Sequence, residues 1–167
     1  MTIDPQLFRE TMAHWASGVT VVTTEVDGQR TGITVSSFAS LSLHPPQILV
    51  CVNKKLHTHE AIQTSRNFAV NILGTEHQEW GMRFAGMFPD LTDRFQGIEC
   101  HTAVTGSPFL SNALSWLDCE VRQAFDGGDH TIFVGEVVAT AARTDGAPIL
   151  YYKRHWRQLA EQPLTLK

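Results

Sequence analysis

The sequence has few cysteines and no excess of positive charge. Cys51, Cys100 and Cys119 are widely spaced, form no C-x-x-C pair, and leave one thiol unpaired in any disulfide scheme. We therefore expect reduced, mostly buried thiols. The net charge of −4 and the isoelectric point near 6.0 argue against a general nucleic-acid binder, because such a protein needs a basic face for the phosphate backbone.

Long apolar runs and several familiar motifs are also missing. No run approaches the roughly 18 residues that span a bilayer, and the N-terminus lacks the basic segment and apolar core of a signal peptide. No G-x-G-x-x-G, P-loop or G-x-S-x-G pattern occurs, so the dinucleotide-fold, NTPase and α/β-hydrolase interpretations have no motif to support them. We expect a cytoplasmic protein without a membrane or nucleic-acid partner.

Candidate metal ligands are few and poorly spaced. His57 and His59, followed by Glu60, could share one face if this segment were extended, but His101 and His130 are distant and no cysteine lies at ligand spacing. The sequence therefore predicts no metal site. A nucleophilic hydrolase would need a base beside a serine or cysteine, and nothing in the sequence places one there.

The amount of apolar sequence and its periodicity predict one mainly β domain over residues 1–167. The chain is 43% hydrophobic and 18% charged, which is ordinary for a globular domain of this length. Strand-like alternation or short apolar runs, bounded by turn signals such as Asp27-Gly28 and 126–129, occur at 19–26, 29–35, 47–52, 67–73, 113–124, 131–141 and 148–152. Connections of this kind favour a closed or partly closed antiparallel barrel over a doubly wound sheet. The apolar run at 47–52 predicts a strand buried on both faces.

Two or three peripheral helices are predicted. Asp4-Pro5 begins the first, which should end near residue 17 and pack on the domain through an apolar face made of Leu7, Phe8, Met12 and Trp15. Thr58 is a candidate cap for a short second helix, and 75–84 should form another. Residues 86–113 are rich in glycine and proline, which predicts a long ordered excursion that could act as a lid.

The segment 31–46 combines a strand pattern with a run of hydroxyl side chains and a double proline. Short hydroxyl donors beside apolar anchors could hold a phosphorylated ligand. The alternative is that these hydroxyl groups bond only to nearby backbone, as serine and threonine usually do. His130 has a similar choice: it enters a predicted strand from a turn, so it could point into a cleft or cap the turn.

Six segments in a fixed order resemble the flavin reductase family. They are SGVTVVTT at 17–24, TGITVSSFASLSLHPP at 31–46, CVN at 51–53 with THEAI at 58–62, FAVNIL at 68–73, GDHTIFVGEV at 128–137 and PILYYKRHW at 148–156. The chain looks like the reductase component of two-component flavin monooxygenases, such as the partner of 4-hydroxyphenylacetate hydroxylase. The resemblance implies an antiparallel Greek-key split barrel that binds FMN, usually as a homodimer.

The same resemblance implies an activity and a set of site residues. The expected activity is transfer of hydride from NADH or NADPH to FMN or FAD, supplying reduced flavin to a separate oxygenase. His130 is expected to face the flavin or nicotinamide. The residues expected to bind the cofactor are Thr34, Val35, Ser36, Ser37, Ser40, Val52, Asn53, Lys55, His59, Arg83, Phe84 and Arg154.

One departure and two alternatives accompany this interpretation. Lys54-Lys55-Leu56 stands where many relatives carry a serine or another small residue, which weakens the match at the expected phosphate end. A flavin-binding module without reductase activity is one alternative function. A reductase of another acceptor, such as a corrinoid or a ferric chelate, is the other.

Overall fold

The computed structural model describes residues 3–160. It contains three α-helices, α1 (Pro5–Met12), α2 (His57–Ser65) and α3 (Gln78–Phe84), and a 3-10 turn at Thr75–His77. The first strands are β1 (Ser17–Gly18), β2 (Thr20–Val26), β3 (Gln29–Val35), β4 (Phe38–Leu43), β5 (Pro46–Asn53) and β6 (Asn67–Ile72). The remaining strands are β7 (Cys100–His101), β8 (Phe109–Leu110), β9 (Ser115–Gly127), β10 (His130–Ala142), β11 (Ile149–Tyr152) and β12 (His155–Gln158).

The main sheet is antiparallel and nearly closes on itself. Its seven strands are ordered β3-β2-β6-β9-β10-β5-β4, so β3 and β4 form its two edges. These edge strands are consecutive in the chain and are joined only by Ser36 and Ser37. Because two residues cannot span an open sheet of seven strands, the sheet must curl until its edges meet. The result is a split barrel with its seam at these two serines, as the sequence predicts.

Tight turns set the pairing of the long strands. Asp27 and Gly28 have φ angles of 50° and 78°, the left-handed conformation that a two-residue hairpin between twisted strands requires. The predicted β2–β3 hairpin is therefore confirmed. β9 and β10 pair over most of their length with two register shifts, and β10 also pairs with β5.

The apolar residues form two clusters. One fills the barrel and is built around Phe68, Phe133 and Val50, all fully buried. The other lies outside the barrel wall, where α3 and the excursion cover it, and includes Phe84, Phe95 and Leu110. Strand β5 faces the first cluster on one side only, because Ile48, Val50 and Val52 are buried whereas Leu49 and Cys51 are half-buried. The prediction of a strand buried on both faces is wrong in this chain.

Helix α1 does not pack as predicted. It has no buried residue, and Leu7, Phe8, Met12 and Trp15 are 58%, 57%, 49% and 72% exposed. Asp4 does cap it, since its carboxylate accepts a hydrogen bond from the Gln6 amide at 2.8 Å. The helix ends at Met12 and not near residue 17, so Trp15 lies in the turn that follows it. Nothing in residues 3–160 covers the apolar side chains of α1.

The excursion is fastened to the barrel by buried polar groups. Asp118 on β9 is fully buried and accepts hydrogen bonds from the backbone amides of Val104 and Thr105 at 2.8 and 2.9 Å. Asn71 on β6 accepts one from the Leu110 amide at 2.7 Å, and the Thr23 hydroxyl donates to the Pro108 carbonyl. The segment is thus an integral part of the fold, which corrects the expectation of a lid.

Two further differences concern short elements. Thr58 does not cap α2, whose N-cap is Leu56 without a side-chain hydrogen bond; instead its buried hydroxyl bonds that of Thr31 at 2.9 Å. Strand β12 was not predicted, because it follows a turn at Lys153 and Arg154 that lacks glycine although both φ angles are positive. Within residues 3–160, no helix combines the length and apolar character needed to cross a bilayer.

Candidate active site at the barrel seam

Ser36 and Ser37 form the centre of the candidate site. The link between β3 and β4 is held to β5 by two hydrogen bonds, from the Cys51 amide to the Ser37 carbonyl at 3.1 Å and from the Ser37 hydroxyl to the Cys51 carbonyl at 2.9 Å. Both serines nevertheless remain exposed. The seam therefore presents two short hydroxyl side chains from a fixed backbone.

Three neighbouring cavities meet at Ser36. The largest, about 490 Å³, lies between α1 and the β11–β12 turn; a second, about 220 Å³, lies toward α3; and a third, about 370 Å³, lies beside β1. All three have Ser36 in their walls. Together they make one groove along the seam, which we call the seam groove.

The seam groove is positively charged at one side. Arg9, Lys153 and Arg154 line its largest cavity, and no carboxylate is among the described residues that line it. Lys153 and Arg154 have φ angles of 48° and 64°, and the Lys153 amide donates to the Ala13 carbonyl at 2.9 Å. This bond ties the turn to the end of α1, so the cationic side chains are carried on a constrained backbone. The arrangement suits an anionic ligand.

Apolar and aromatic side chains line the other side. Tyr151, Trp156, Val19 and Met87 border the smaller cavity toward α3. The Tyr151 and Trp156 rings meet edge to face with centroids 5.6 Å apart, which limits the movement of each. A groove with a cationic end and an aromatic wall can take a planar ring that carries a phosphate.

A second group of polar residues lies farther along β5. Asn53 is two residues beyond Cys51, so it lies roughly 7 Å from the Ser37 contact. It pairs directly with His130 across β5 and β10, and its side chain accepts a hydrogen bond from the Lys55 amide at 2.9 Å. Lys54 bonds Asp126 at 2.8 Å and the Gly128 carbonyl at 2.6 Å, and no salt bridge to Lys55 is found within residues 3–160.

The structure thus gathers seven of the predicted site residues into two adjacent groups. Thr34, Ser36, Ser37 and Arg154 border the seam groove, although the Thr34 hydroxyl is already donated to the Gly81 carbonyl at 2.7 Å. The second group, at the end of β5, contains Asn53, Lys55 and His130.

Three of the residues predicted to bind the cofactor have their side chains in the core. Phe84 is 1% exposed and packs edge to face on Phe95 with centroids 4.9 Å apart. Val35 and Val52 are 8% and 0% exposed and belong to the barrel cluster. Only the backbone of these two valines is available to a ligand, and Phe84 belongs to the second core cluster.

The His59 ring is also buried. Its ring is 7% exposed, its Nε2 lies 2.8 Å from the Thr131 hydroxyl, and its centroid is 5.5 Å from that of Phe133. Burial lowers the pKa of His59, and nearby Lys54 lowers it further. A buried imidazole in this position is a poor phosphate ligand, since it is both shielded and disfavoured as a cation.

Arg83 and Ser40 are placed elsewhere. The Arg83 guanidinium bonds Glu79 at 2.5 Å and the Gln96 carbonyl at 2.7 Å, so it joins α3 to the excursion. Ser40 is an exposed residue of β4 that pairs with Ile48, and it is not among the described residues that line the seam groove.

Several groove residues were missed by sequence reasoning. Arg9 and Trp15 lie in or near the first helix, Tyr151 and Lys153 lie near the last hairpin, and Met87 begins the excursion. The cluster of aromatic and basic residues at 151–154 is a sequence signal for Tyr151 and Lys153. Arg9, Trp15 and Met87 have no such signal, because they reach the seam through contacts between segments that are distant in sequence. Within residues 3–160, no group of three or more His, Cys, Asp or Glu side chains is arranged to hold a metal ion.

Comparison with known proteins agrees with this geometry. The family described as "Flavin reductase like domain" matches residues 12–160. The chain is 42% identical over 151 residues to the reductase component of 4-nitrophenol 4-monooxygenase/4-nitrocatechol 2-monooxygenase from Rhodococcus opacus, covering 90% of this chain and 79% of that protein. It is 35% identical over 160 residues to FMN reductase (NADH) RutF of Pantoea ananatis, covering 96% and 84%.

A solved structure gives the same result at the level of the fold. The flavin reductase PheA2 in its native state superposes with a TM-score of 0.88 at 36% sequence identity, covering 95% of this chain and 100% of that one. The family match, the sequence relatives and the fold all extend over nearly the whole chain. The chain belongs to the family of proteins with a flavin reductase like domain.

Proposed function

We propose that this chain is an NAD(P)H:flavin oxidoreductase that supplies reduced flavin to a partner monooxygenase. FMN or FAD would bind along the seam groove, and NADH or NADPH would donate the hydride. The observation that carries the proposal is the seam groove itself, where exposed serine hydroxyl groups, an aromatic wall and three cations converge. The nitrophenol monooxygenase reductase component and the NADH-dependent FMN reductase support the same reaction.

The residues of the seam groove fit a flavin chemically. Tyr151, Trp156 and Met87 provide an apolar surface for a planar ring, and the Ser36 hydroxyl and the backbone of the β3–β4 link provide hydrogen-bonding groups for the polar edge of the ring. Arg154 adjoins both the aromatic and the cationic parts. It is therefore the best-placed single cation for a phosphate of flavin or pyridine nucleotide.

Asn53 and Lys55 are proposed to hold the phosphate end of the flavin. Lys54 is occupied by Asp126 and by the Gly128 carbonyl, which leaves Lys55 as the available cation. Helix α2 begins immediately afterwards at His57, and backbone amides at a helix N-terminus favour an anion. In this arrangement the two lysines have different roles, one structural and one toward the ligand.

Bound flavin would supply the two-electron acceptor that no amino-acid side chain provides. The protein's contribution is to hold two rings in register and exclude water, because hydride transfer needs close approach and a fixed orientation. We propose that His130 faces this reaction centre. Its ring is 40% exposed and stands on the strand pair that carries Asn53.

We also propose that the protein is a homodimer formed through α1. The uncovered apolar face of α1 consists of Leu7, Phe8 and Met12, and Trp15 in the turn that follows the helix is exposed as well. Exposed apolar side chains of this kind typically mark an interaction surface. Met12 and Trp15 also line the seam groove, so a second copy seated on this face would help close the groove. The partner would then shape the flavin site as well as bury apolar surface.

We also propose that the protein is cytoplasmic. Cys51, Cys100 and Cys119 are all free thiols, and unpaired cysteines suit a reducing compartment. Burial raises the pKa of each thiol, to about 12 for Cys119. Thiols that stay protonated resist oxidation, which agrees with a structural role.

The test is flavin-dependent turnover by the purified protein. NADH or NADPH oxidation should accelerate only when FMN or FAD is added, and adding the oxygenase component should couple it to substrate hydroxylation. A protein that retains flavin without oxidising either nucleotide would instead be a binding module. Absence of flavin-dependent turnover with both nucleotides would overturn the proposal.

The seam groove can be tested with a matched pair of arginines. Arg154→Gln should raise the KM for flavin or nucleotide about tenfold, as expected for losing one charged hydrogen bond. Arg157→Gln removes the same charge three residues away, where the side chain lines a different cavity, and should leave both KM values near the wild-type level. Equal effects of the two substitutions would contradict a specific role for Arg154.

A further inference from the structure

Gly81 stands in the middle of α3, where a glycine has a cost. Glycine destabilises a helix relative to alanine, and Gly81 is not among the glycines whose positive φ angle would require one. A Cβ atom at this position would lie 2.7 Å from Cη2 and 3.0 Å from Cζ3 of Trp156. The far edge of the indole ring therefore occupies the place of a side chain on α3, and the glycine permits this contact between α3 and β12.

The Trp156 ring is held at this contact by its neighbours. Trp156 pairs directly with Tyr151 across β11 and β12, and the two rings meet edge to face with centroids 5.6 Å apart. Both rings pack against the second core cluster. The indole ring thus lies against both Tyr151 and the backbone of Gly81, and a methyl group added at residue 81 would force it to shift.

The same face of α3 continues into the seam groove. Ala85 follows Gly81 by four residues, so the two lie one above the other on one side of the helix. Ala85 lines the cavity of about 220 Å³ toward α3, together with Thr34, Met87 and Trp156. The Thr34 hydroxyl donates to the Gly81 carbonyl at 2.7 Å, which ties β3 to the same turn of α3. The separation of α3 and Trp156 at Gly81 therefore determines the width of this cavity.

We infer that Gly81 is a positioning residue that lets the Trp156 ring lie against α3, and that this size-matched pair sets how closely the seam groove fits the planar ring bound in it. This inference rests on the proposed function. Two rings have the required shape: the isoalloxazine of the flavin and the nicotinamide of the pyridine nucleotide. Dispersion contacts weaken markedly when a gap of about 1 Å opens, so a small shift of the indole ring weakens the binding of the ring beside it.

The position of the Trp156 ring can be measured without any ligand or turnover. In protein labelled with 5-fluorotryptophan, the ¹⁹F resonances of Trp156 and Trp116 are assigned by their loss in Trp156→Phe and Trp116→Phe. Gly81→Ala should shift the Trp156 resonance, whereas Trp116, which lines a different cavity, should keep its wild-type resonance. Alanine is the better helix former, so α3 itself should remain folded in the variant.

Ligand binding tests the effect of the pair on the groove and identifies the ring beside it. The Kd values of FMN, FAD, NADH and NADPH are measured by fluorescence titration, and Gly81→Ala should raise the Kd of the flavins or of the nucleotides about tenfold. The affected class is the one whose ring lies against Trp156.

A double variant separates displacement of the ring from general damage. Phenylalanine does not extend as far as the indole edge that reaches Gly81, so Trp156→Phe leaves room for a methyl group at residue 81. In that background, Gly81→Ala should change the same Kd by less than about twofold. Such non-additivity is expected of residues in contact.

An unmoved Trp156 resonance in Gly81→Ala, or an equal shift of the Trp116 resonance, would overturn the positioning role of Gly81. A shifted resonance with every Kd unchanged, or an equal loss of affinity in both backgrounds, would overturn the effect on ring binding. A wild-type protein that binds flavin but oxidises neither nucleotide would overturn the proposed reductase activity alone, because the ring position and the flavin affinity are both measured without turnover.

Discussion

At the scale of single residues, His77 shows how burial changes the behaviour of a titratable group. Its side chain is 6% exposed, its ring stacks on Trp80 with centroids 4.1 Å apart, and its Nδ1 accepts the Gly74 amide at 3.1 Å. Burial lowers the pKa of His77; Glu76 opposes this shift and Arg143 adds to it. The folded protein therefore requires a neutral ring, because a protonated Nδ1 could not accept that hydrogen bond.

We predict that acidification destabilises the protein partly through His77. With its folded pKa below the unfolded value of about 6.5, the unfolded chain binds the proton more readily. The stability contributed by His77 is complete above about pH 6.5 and is lost as the pH falls toward the folded pKa. Urea unfolding at pH 7.5 and 5.5 measures this loss.

A variant separates His77 from the other titrating groups. His77→Gln should cost about 1–2 kcal/mol at pH 7.5 through the lost stacking and hydrogen bond, but it should lose less stability than the wild type between the two pH values. The slope that remains includes His59, whose pKa burial also lowers. An unchanged slope in the variant would show that His77 does not contribute.

At the scale of elements, the excursion from α3 to β9 depends on Asp118. A segment with only the two-residue pairing of β7 with β8 has few backbone bonds of its own. Asp118 compensates by accepting from the Val104 and Thr105 amides and the Thr105 hydroxyl. A fully buried carboxylate with this set of donors is tolerated because its charge is matched by hydrogen bonds.

We predict that Asp118→Asn destabilises the protein by about 3 kcal/mol. The substitution replaces one carboxylate oxygen, which accepts hydrogen bonds, with an NH2 group that faces other donors. It also removes the negative charge that strengthens the remaining hydrogen bonds. Asp90→Asn, at an exposed position of the same excursion, should change the free energy of unfolding by less than about 0.5 kcal/mol. Hydrogen exchange of the Val104 and Thr105 amides should accelerate only in Asp118→Asn; equal protection in both variants would contradict the role of Asp118.

At the scale of the whole molecule, the uncovered face of α1 predicts assembly. The wild-type protein should elute with twice the 18.6 kDa mass of the chain, measured by light scattering. Phe8→Glu should weaken the dimer about a thousandfold, since each copy loses the burial of a large apolar side chain. Gln63→Glu, exposed on α2, adds the same charge elsewhere and should leave the dimer intact; a monomeric wild type would contradict the assembly.

The strand order shows which parts of the fold could be predicted locally. Local sequence patterns predict three parts of the fold: the hairpin at Asp27-Gly28, the long pair β9–β10 and strand β6. They can be predicted because apolar alternation and turn residues act over only a few positions. Strand β12 was missed because Lys153 and Arg154 adopt positive φ angles without a glycine signal. The order of the motifs also indicates the family without any geometry.

The site was predicted less completely than the fold. Ser36, Ser37 and Arg154 were identified, and the structure brings them together at the seam groove. The family resemblance assigns Phe84 and His59 to the ligand, but both side chains are buried. Residue type alone does not tell whether an aromatic or imidazole side chain points into a core or out of it. Arg9 and Trp15 were missed because they reach the seam groove from elements distant in sequence.

Periodicity, turn residues and motif order are local properties of the chain, so the sequence alone establishes the antiparallel β class, the principal hairpins, the family resemblance and the serine pair at 36–37. The folded structure is needed to show that β3 and β4 meet at a seam, that α1 leaves its apolar face uncovered and that Asp129 contacts His130. Closure and burial depend on contacts between distant segments, and the bond between Asp129 and His130 depends on a rotamer. Neither leaves a periodic pattern in the sequence.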